Sequence, residues 1–123
     1  MPGNKQLSGC RVLIVEDEYF VANDLEEALN ACGANVVGPI ADYSEAYHQA
    51  VHDQFDLALL DINLRNKETY PIADELTRQG VPFIFCTGYD RKLIPERFAG
   101  VWLCSKPFKM SELIDQIELL CRK

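Results

Sequence analysis

The sequence predicts an α/β protein: a doubly wound, five-stranded parallel sheet of order 2-1-3-4-5, with helices on both faces. Three observations carry this. Short apolar runs alternate with longer segments whose apolar residues recur at helical spacing. One of the runs, Leu57-Ala58-Leu59-Leu60, is uninterrupted and stops at Asp61, the pattern of a strand buried on both faces. Other runs also end in residues that can do chemistry, and in open parallel sheets ligands collect beyond the carboxyl ends of the strands.

Taken in order, Arg11-Val12-Leu13-Ile14-Val15 is the first strand, closed by Glu16-Asp17-Glu18. The helix after it carries Val21, Leu25, Ala28, Leu29 and Cys32 on one face and stops at Gly33, a residue suited to a helix C-terminus. Residues 34–38 make a short second strand, ended by Gly38-Pro39. Asp42, with Glu45 three positions later, resembles a capping box and opens a second helix to about His52. Residues 57–60 are the third strand. A third helix is expected over residues 67–79, ended by Gly80, with Pro71 in its first turn or shifting its start. Residues 82–87 form the fourth strand, where Pro82 is tolerable only as the opening residue. Over residues 89–100, Pro95 leaves room for a turn or two, so the fourth helix is reduced. Residues 101–105 are the fifth strand. Residues 110–121 close the chain as a helix with Leu113, Ile114, Ile117, Leu120 and Cys121 on its apolar stripe. Right-handed crossovers between parallel strands then put helices on both faces.

Composition bounds the function. The chain reads as one domain, residues 1–123, with residues 1–8 expected as a flexible tail and nothing left over for an output domain. A net charge of −7 argues against a nucleic-acid or anionic-membrane partner, since both demand a basic face. No apolar run is long enough for membrane insertion and no signal-peptide core is present, so a cytoplasmic location is expected. The five cysteines, at 10, 32, 86, 104 and 121, show no metal spacing and point to reduced thiols. Cys86 and Cys104, neighbours across the fourth and fifth strands, read as small buried hydrophobes rather than a redox pair. His48 and His52 share a helix face, but with no third ligand in view they read as exposed polar positions.

The chemistry gathers at the strand ends: Glu16 and Asp17 after the first, Asp61 after the third, Thr87 after the fourth and Lys106 after the fifth. With the first and third strands adjacent, three carboxylates share one crevice, where their repulsion calls for a cation. Hard oxygen ligands in a wet site suit Mg²⁺. A carboxylate such as Asp61 attacking phosphorus gives an aspartyl phosphate. The loose transition state then needs charge neutralisation at its equatorial oxygens, for which Mg²⁺, Lys106 and the Thr87 hydroxyl are the candidates.

On Val15-Glu16-Asp17-Glu18, Leu60-Asp61-Ile62-Asn63-Leu64, Thr87-Gly88 and Lys106-Pro107, the chain resembles a stand-alone response-regulator receiver domain of two-component systems, of the flavodoxin/CheY-like fold. Phe85-Cys86-Thr87-Gly88-Tyr89 further resembles the atypical FAT-GUY group, in which the fourth helix is reduced and mobile. The resemblance implies that Asp61 accepts phosphate from a histidine kinase or histidine phosphotransfer protein, and that signalling passes by protein contact or onward phosphotransfer to an unknown downstream protein. It implies Mg²⁺ held by Asp17, Asp61 and the backbone carbonyl of Asn63, with Glu16 placed through water. Lys106 would bond the phosphoryl group, ahead of a cis Lys106-Pro107 peptide. Such a chain is not an enzyme beyond its own phosphorylation and slow dephosphorylation. Asn63 and Tyr89, each two residues past Asp61 and Thr87, would flank the path of a hydrolytic water and set the phosphate lifetime.

One departure bears on output. Receivers usually carry Tyr or Phe three residues before the motif lysine, whereas this chain has Leu103; Trp102 is adjacent but aimed at the opposite face by strand alternation. Output is therefore expected from ordering of the Gly88–Gly100 loop. Glu18 reads as a helix-start charge rather than a ligand. Three rival functions fit less well. An aspartyl phosphohydrolase wants a second acid where Asn63 stands, and a flavodoxin wants a phosphate-cradling loop where Glu16-Asp17-Glu18 stands. A pseudo-receiver acting as a binding module, without phosphorylation, is opposed by the full set of Glu16, Asp17, Asp61, Thr87 and Lys106.

Overall fold

In chain order the elements are β1 (Arg11–Val15), α1 (Tyr19–Ala31), β2 (Asn35–Ile40), α2 (Tyr43–His52), β3 (Leu57–Leu60), a hairpin of β4 (Asn63–Leu64) and β5 (Lys67–Glu68), α3 (Tyr70–Gln79), β6 (Phe83–Thr87), β7 (Trp102–Ser105) and α4 (Met110–Cys121). They come from a computed structural model that describes residues 5–121. The five long strands make one parallel sheet in the order β2-β1-β3-β6-β7, the 2-1-3-4-5 arrangement the sequence predicts. Among the described residues no helix is long and apolar enough to cross a membrane.

Because side chains alternate across a strand, the sheet feeds two cores. Leu13, Val15, Ala58, Leu60 and Phe85 pack with Ala46, Ile72 and Leu76 from α2 and α3. Val12, Ile14, Leu57, Leu59 and Ile84 pack on the other face with Leu25 and Leu29 of α1 and Leu113 and Ile117 of α4. Both faces of β3 are thus covered, which is why its sequence shows no polar alternation.

The structure departs from the expected boundaries where backbone geometry overrides pattern. The second strand does not end at Gly38-Pro39. It runs on to Ile40 through a cis Gly38–Pro39 peptide and a shift in register against β1. As an edge strand, β2 can spare the proline's missing donor. Gly38 has φ of +103°, and a Cβ there would lie 2.6 Å from the Ile14 carbonyl oxygen, so no other residue fits. The third helix begins at Tyr70 rather than 67, with Pro71 in its first turn, because Lys67 and Glu68 are spent on the hairpin. The hairpin turns through Arg65 and Asn66, both at positive φ, the backbone of a two-residue turn matched to strand twist.

At the N-terminus, residues 1–4 of the expected tail lie outside the described residues. Lys5–Ser8 are not a tail: Leu7 is buried in the α1/α4 core and its amide donates to the Cys32 carbonyl. The expectation of uniformly reduced cysteines also fails. Cys10 and Cys121, separated by 111 positions, form a disulfide with 6.3 Å between Cα atoms, because the start of β1 and the end of α4 meet in space. Cys32, Cys86 and Cys104 are free. His48 and His52 are exposed, as expected, with ring centroids 4.4 Å apart and the rings tilted by 44°.

The segment between β6 and β7 holds only two short 3₁₀ turns, Arg91–Leu93 and Glu96–Phe98, so the fourth helix is reduced. Buried Ile94 and Phe98 anchor it. The Phe98 ring stacks on Tyr70 at 5.5 Å and meets Phe85 edge-on at 5.4 Å. Arg91 donates to the carbonyls of Phe98, Ala99 and Val101, and Arg97 pairs with Asp74 of α3. With so little backbone hydrogen bonding, the aromatic contacts carry the segment. Phe98→Ala is expected to lower the unfolding free energy by about 3–5 kcal/mol, read as a lower urea midpoint at unchanged m-value.

Candidate functional site

The parallel ladder itself aims the site residues. The amide of Glu16 donates to the Ile40 carbonyl, that of Asp61 to Val15, and that of Lys106 to Thr87. Each residue is therefore the first past the end of a strand, still tied to its neighbour, and the three side chains converge over one edge of the sheet. Asp61 and Lys106 line, with Asp17, Asn63 and Tyr89, an open cleft of about 850 Å³, and buried Glu16 reaches Lys106 from behind it.

Three carboxylates, those of Glu16, Glu18 and Asp61, meet one ammonium, with Asp17 beside them. Lys106 Nζ lies 3.2 Å from Asp61 Oδ2, 3.0 Å from Glu16 Oε1 and 2.9 Å from Glu18 Oε1. Glu18 thus does more than start α1: its carboxylate makes no cap to the helix and reaches Lys106 instead. Glu16 and Asp61 are buried, and Asp17 is half-buried. Burial first, then the charge of Asp61 and a hydrogen bond shared with it, push Glu16 up to about 7, against the pull of Lys106. Burial alone would lower Lys106. Its hydrogen bonds to Glu18 and Glu16 and the charge of Asp61 outweigh that and hold it above its ordinary range.

The backbone supports this cluster at points the sequence did not flag. The Arg65 amide, at the tip of the β4–β5 hairpin, donates to Asp17 Oδ2 at 2.9 Å. Buried Thr69 donates its hydroxyl to the Asp61 carbonyl at 2.6 Å and its amide to Ile62. The signals were present in Arg65-Asn66 as a turn pair and in a Thr just before Tyr70-Pro71, but only the hairpin makes them meet Asp17 and Asp61. The sequence-predicted pair Asn63 and Tyr89 does come together, Asn63 Nδ2 donating to the Tyr89 hydroxyl at 3.4 Å. Asn63 Oδ1 meanwhile accepts from the Asn66 amide. Thr87 is buried at the end of β6, its Oγ1 accepting from the Tyr89 amide at 3.1 Å. The Lys106–Pro107 peptide is cis. Leu103 packs toward the α2/α3 core, while Trp102 is turned to the other face and exposed.

Whether these residues suit a divalent cation can be judged from their donors. One oxygen each from Glu16, Asp17 and Asp61 lie within 4.8 Å of one another. Glu16 Oε2 accepts from the Glu18 amide and Lys106, but Oε1, although near Nζ, is buried without a directed hydrogen bond. An all-oxygen set with surplus negative charge and a spare buried lone pair fits Mg²⁺.

A family model described as response regulator receiver domain matches residues 12–118. The transcriptional regulatory protein PdtaR of Mycobacterium tuberculosis is 32% identical over 113 residues, covering 89% of this chain and 55% of that protein. The chain spans about half the length of the curated relatives it matches. The solution structure of SdrG from Sphingomonas melonis Fr1 superposes with a TM-score of 0.79 at 31% identity, covering 90% of this chain and 95% of that one. The receiver domain of the sensor histidine kinase PA1611 from Pseudomonas aeruginosa PAO1 superposes at 0.78 and 26% identity, over 94% of this chain and 100% of that one. That crystal structure holds a magnesium ion coordinated in its active site cleft.

The raised Glu16 carboxyl has a measurable consequence. With EDTA present, folded Glu16 keeps its proton up to about 7, while an unfolded glutamate loses it near 4.5. The folded state then binds more protons, so the unfolding free energy falls as pH rises from about 4.5 to about 7, by on the order of 3 kcal/mol. Urea melts across this range should show that slope, and Glu16→Gln should flatten it.

Proposed function

The chain belongs to the response regulator receiver domain family, and on that premise we propose that it is the phosphoacceptor of a two-component phosphorelay, with Asp61 as the acceptor. The observation that carries the reading is the Asp61 carboxylate, 3.2 Å from Lys106 Nζ and grouped with the oxygens of Glu16 and Asp17 at the floor of an open cleft. The donor is a histidine kinase or a histidine phosphotransfer protein. A new bond forms between an Asp61 oxygen and phosphorus as the donor's N–P bond breaks and its electron pair returns to the imidazole.

Asp17, Asp61 and the Asn63 backbone carbonyl, with Glu16 behind them, would hold Mg²⁺, which when bound neutralises charge on the transferring phosphoryl oxygens. Lys106 hydrogen-bonds a second oxygen. To do so its ammonium shifts from Glu18, which is largely exposed and can swing into water. The Thr87 hydroxyl turns to the third. Its Oγ1 now holds the Tyr89 amide, so the turn loosens the start of the Gly88–Gly100 segment and alters the face it presents to a downstream protein. Leu103 replaces an aromatic in this role, and the segment rather than a ring carries output. The roughly −1.5 to −2 charges of the phosphoryl group supply the drive. The protein acts in the cytoplasm by protein contact or onward phosphotransfer, with neither nucleic acid nor membrane insertion, and its only catalysis is on its own acyl phosphate.

Incubation with a phosphorylated histidine donor and Mg²⁺ tests the reading. Wild type should acquire an acid-stable, base-labile label that Asp61→Asn lacks. A wild-type chain that takes up neither this label nor beryllofluoride would overturn it. Tyr89→Ala, by removing the ring that meets Asn63 over the cleft, should shorten the half-life of the label several-fold; an unchanged decay rate removes Tyr89 from that role.

A further inference from the structure

Cys86 and Cys104 sit in register on adjacent parallel strands, β6 and β7. Both side chains lie on the α1/α4 face of the sheet. The interaction between the two sulfurs raises the Cys86 thiol and lowers that of Cys104. Neighbouring strands are about 4.8 Å apart, inside the window of about 4.4 to 6.8 Å between Cα atoms that a disulfide spans. The two thiols differ in access. Cys86 is 1% exposed, whereas Cys104 opens on a second cleft of about 630 Å³ between β7 and α4, walled by Trp102, Phe108, Glu112 and Leu113. This cleft is separate from the carboxylate site and touches it only at Pro107 and Phe108.

We propose that Cys86 and Cys104 are a dithiol modification site that a small hydroperoxide, entering through the β7/α4 cleft, oxidises to a disulfide. The Cys104 sulfur attacks the terminal peroxide oxygen; the O–O bond breaks and water or an alcohol leaves, so Cys104 becomes a sulfenic acid. The Cys86 sulfur then attacks the Cys104 sulfur, the S–O bond breaks, and the departing hydroxide takes the Cys86 proton as water. Two thiols lose two electrons in total and the peroxide gains them. A dithiol reductant reverses the change. The direction of attack follows from access, and the interaction with Cys86 also lowers the Cys104 thiol, while that interaction and burial raise Cys86. The third free thiol, Cys32, is buried in the α1/α4 core and makes no such pair.

The bond would tie β6 one residue before Thr87 to β7 two residues before Lys106. The modification itself is independent of whether Asp61 carries phosphate, and its test needs no phosphoryl donor.

Folded wild type is treated with a modest excess of hydrogen peroxide, blocked with iodoacetamide and digested with trypsin, which cuts between the two cysteines at Arg91, Lys92 and Arg97. The expected product is a Cys86–Cys104 linked peptide lacking two hydrogens, with Cys32 alkylated. The fluorescence of Trp102, the single tryptophan, should fall as the link forms and recover with dithiothreitol. Cys86→Ala should stop at a Cys104 sulfenic acid that dimedone traps. The proposal is overturned if wild type returns both cysteines alkylated, if Cys104 passes to the sulfonic acid without a link, or if Cys32 is oxidised as readily.

Discussion

Everything in this protein turns on the crowding of negative charge at one edge of a parallel sheet. A parallel arrangement ends all its strands on the same side, so residues that follow different strands meet there whatever their distance in sequence. Glu16, Asp61 and Lys106 are each still held by the next rung of the ladder. The cluster therefore cannot relax by backing away. It relaxes by holding a proton on Glu16, by gathering Lys106 against three acids and by offering its remaining oxygens outward. A cluster built this way carries surplus negative charge that an added cation would offset.

The same edge explains how a change at the site could travel. Thr87 ends β6, and its hydroxyl already holds the backbone of Tyr89. Beyond it the chain lacks a full helix and is pinned by Ile94, Phe98 and the arginines at 91 and 97. A segment held by a few side chains rather than a continuous backbone ladder opens locally at lower cost than a full helix. The opposite face of β7 is different in kind: Trp102 and Cys104 look onto a cleft beside α4 that shares little with the acidic pocket.

Several boundaries were illegible in the sequence for definable reasons. Gly38-Pro39 looks like a stop because proline lacks a donor, and only the sheet order reveals that this donor would have faced solvent. Lys67 and Glu68 have good helical propensity, yet the turn at Arg65-Asn66 folds them back onto β4 and delays α3. Leu7 looked like part of a polar tail because its partners, including the Cys32 carbonyl, lie far along the chain. The Cys10–Cys121 bond is the extreme case, joining residues 111 apart that no spacing rule would pair.

What the sequence determined alone is the periodicity and its punctuation. The alternation of short apolar runs with helical stripes specifies strands, helices and a parallel sheet, and the residue that stops each run names the groups at its edge. That was enough for the fold, for the acidic crevice and for the reduced segment around Pro95. What only the tertiary structure decided is which groups touch. Glu18 bonding Lys106, Thr69 bonding the Asp61 carbonyl, the Arg65 amide on Asp17 and Cys86 lying in register beside Cys104 all depend on distances between separate elements. Local pattern encodes which way a side chain points; contact requires the register and packing of the whole sheet.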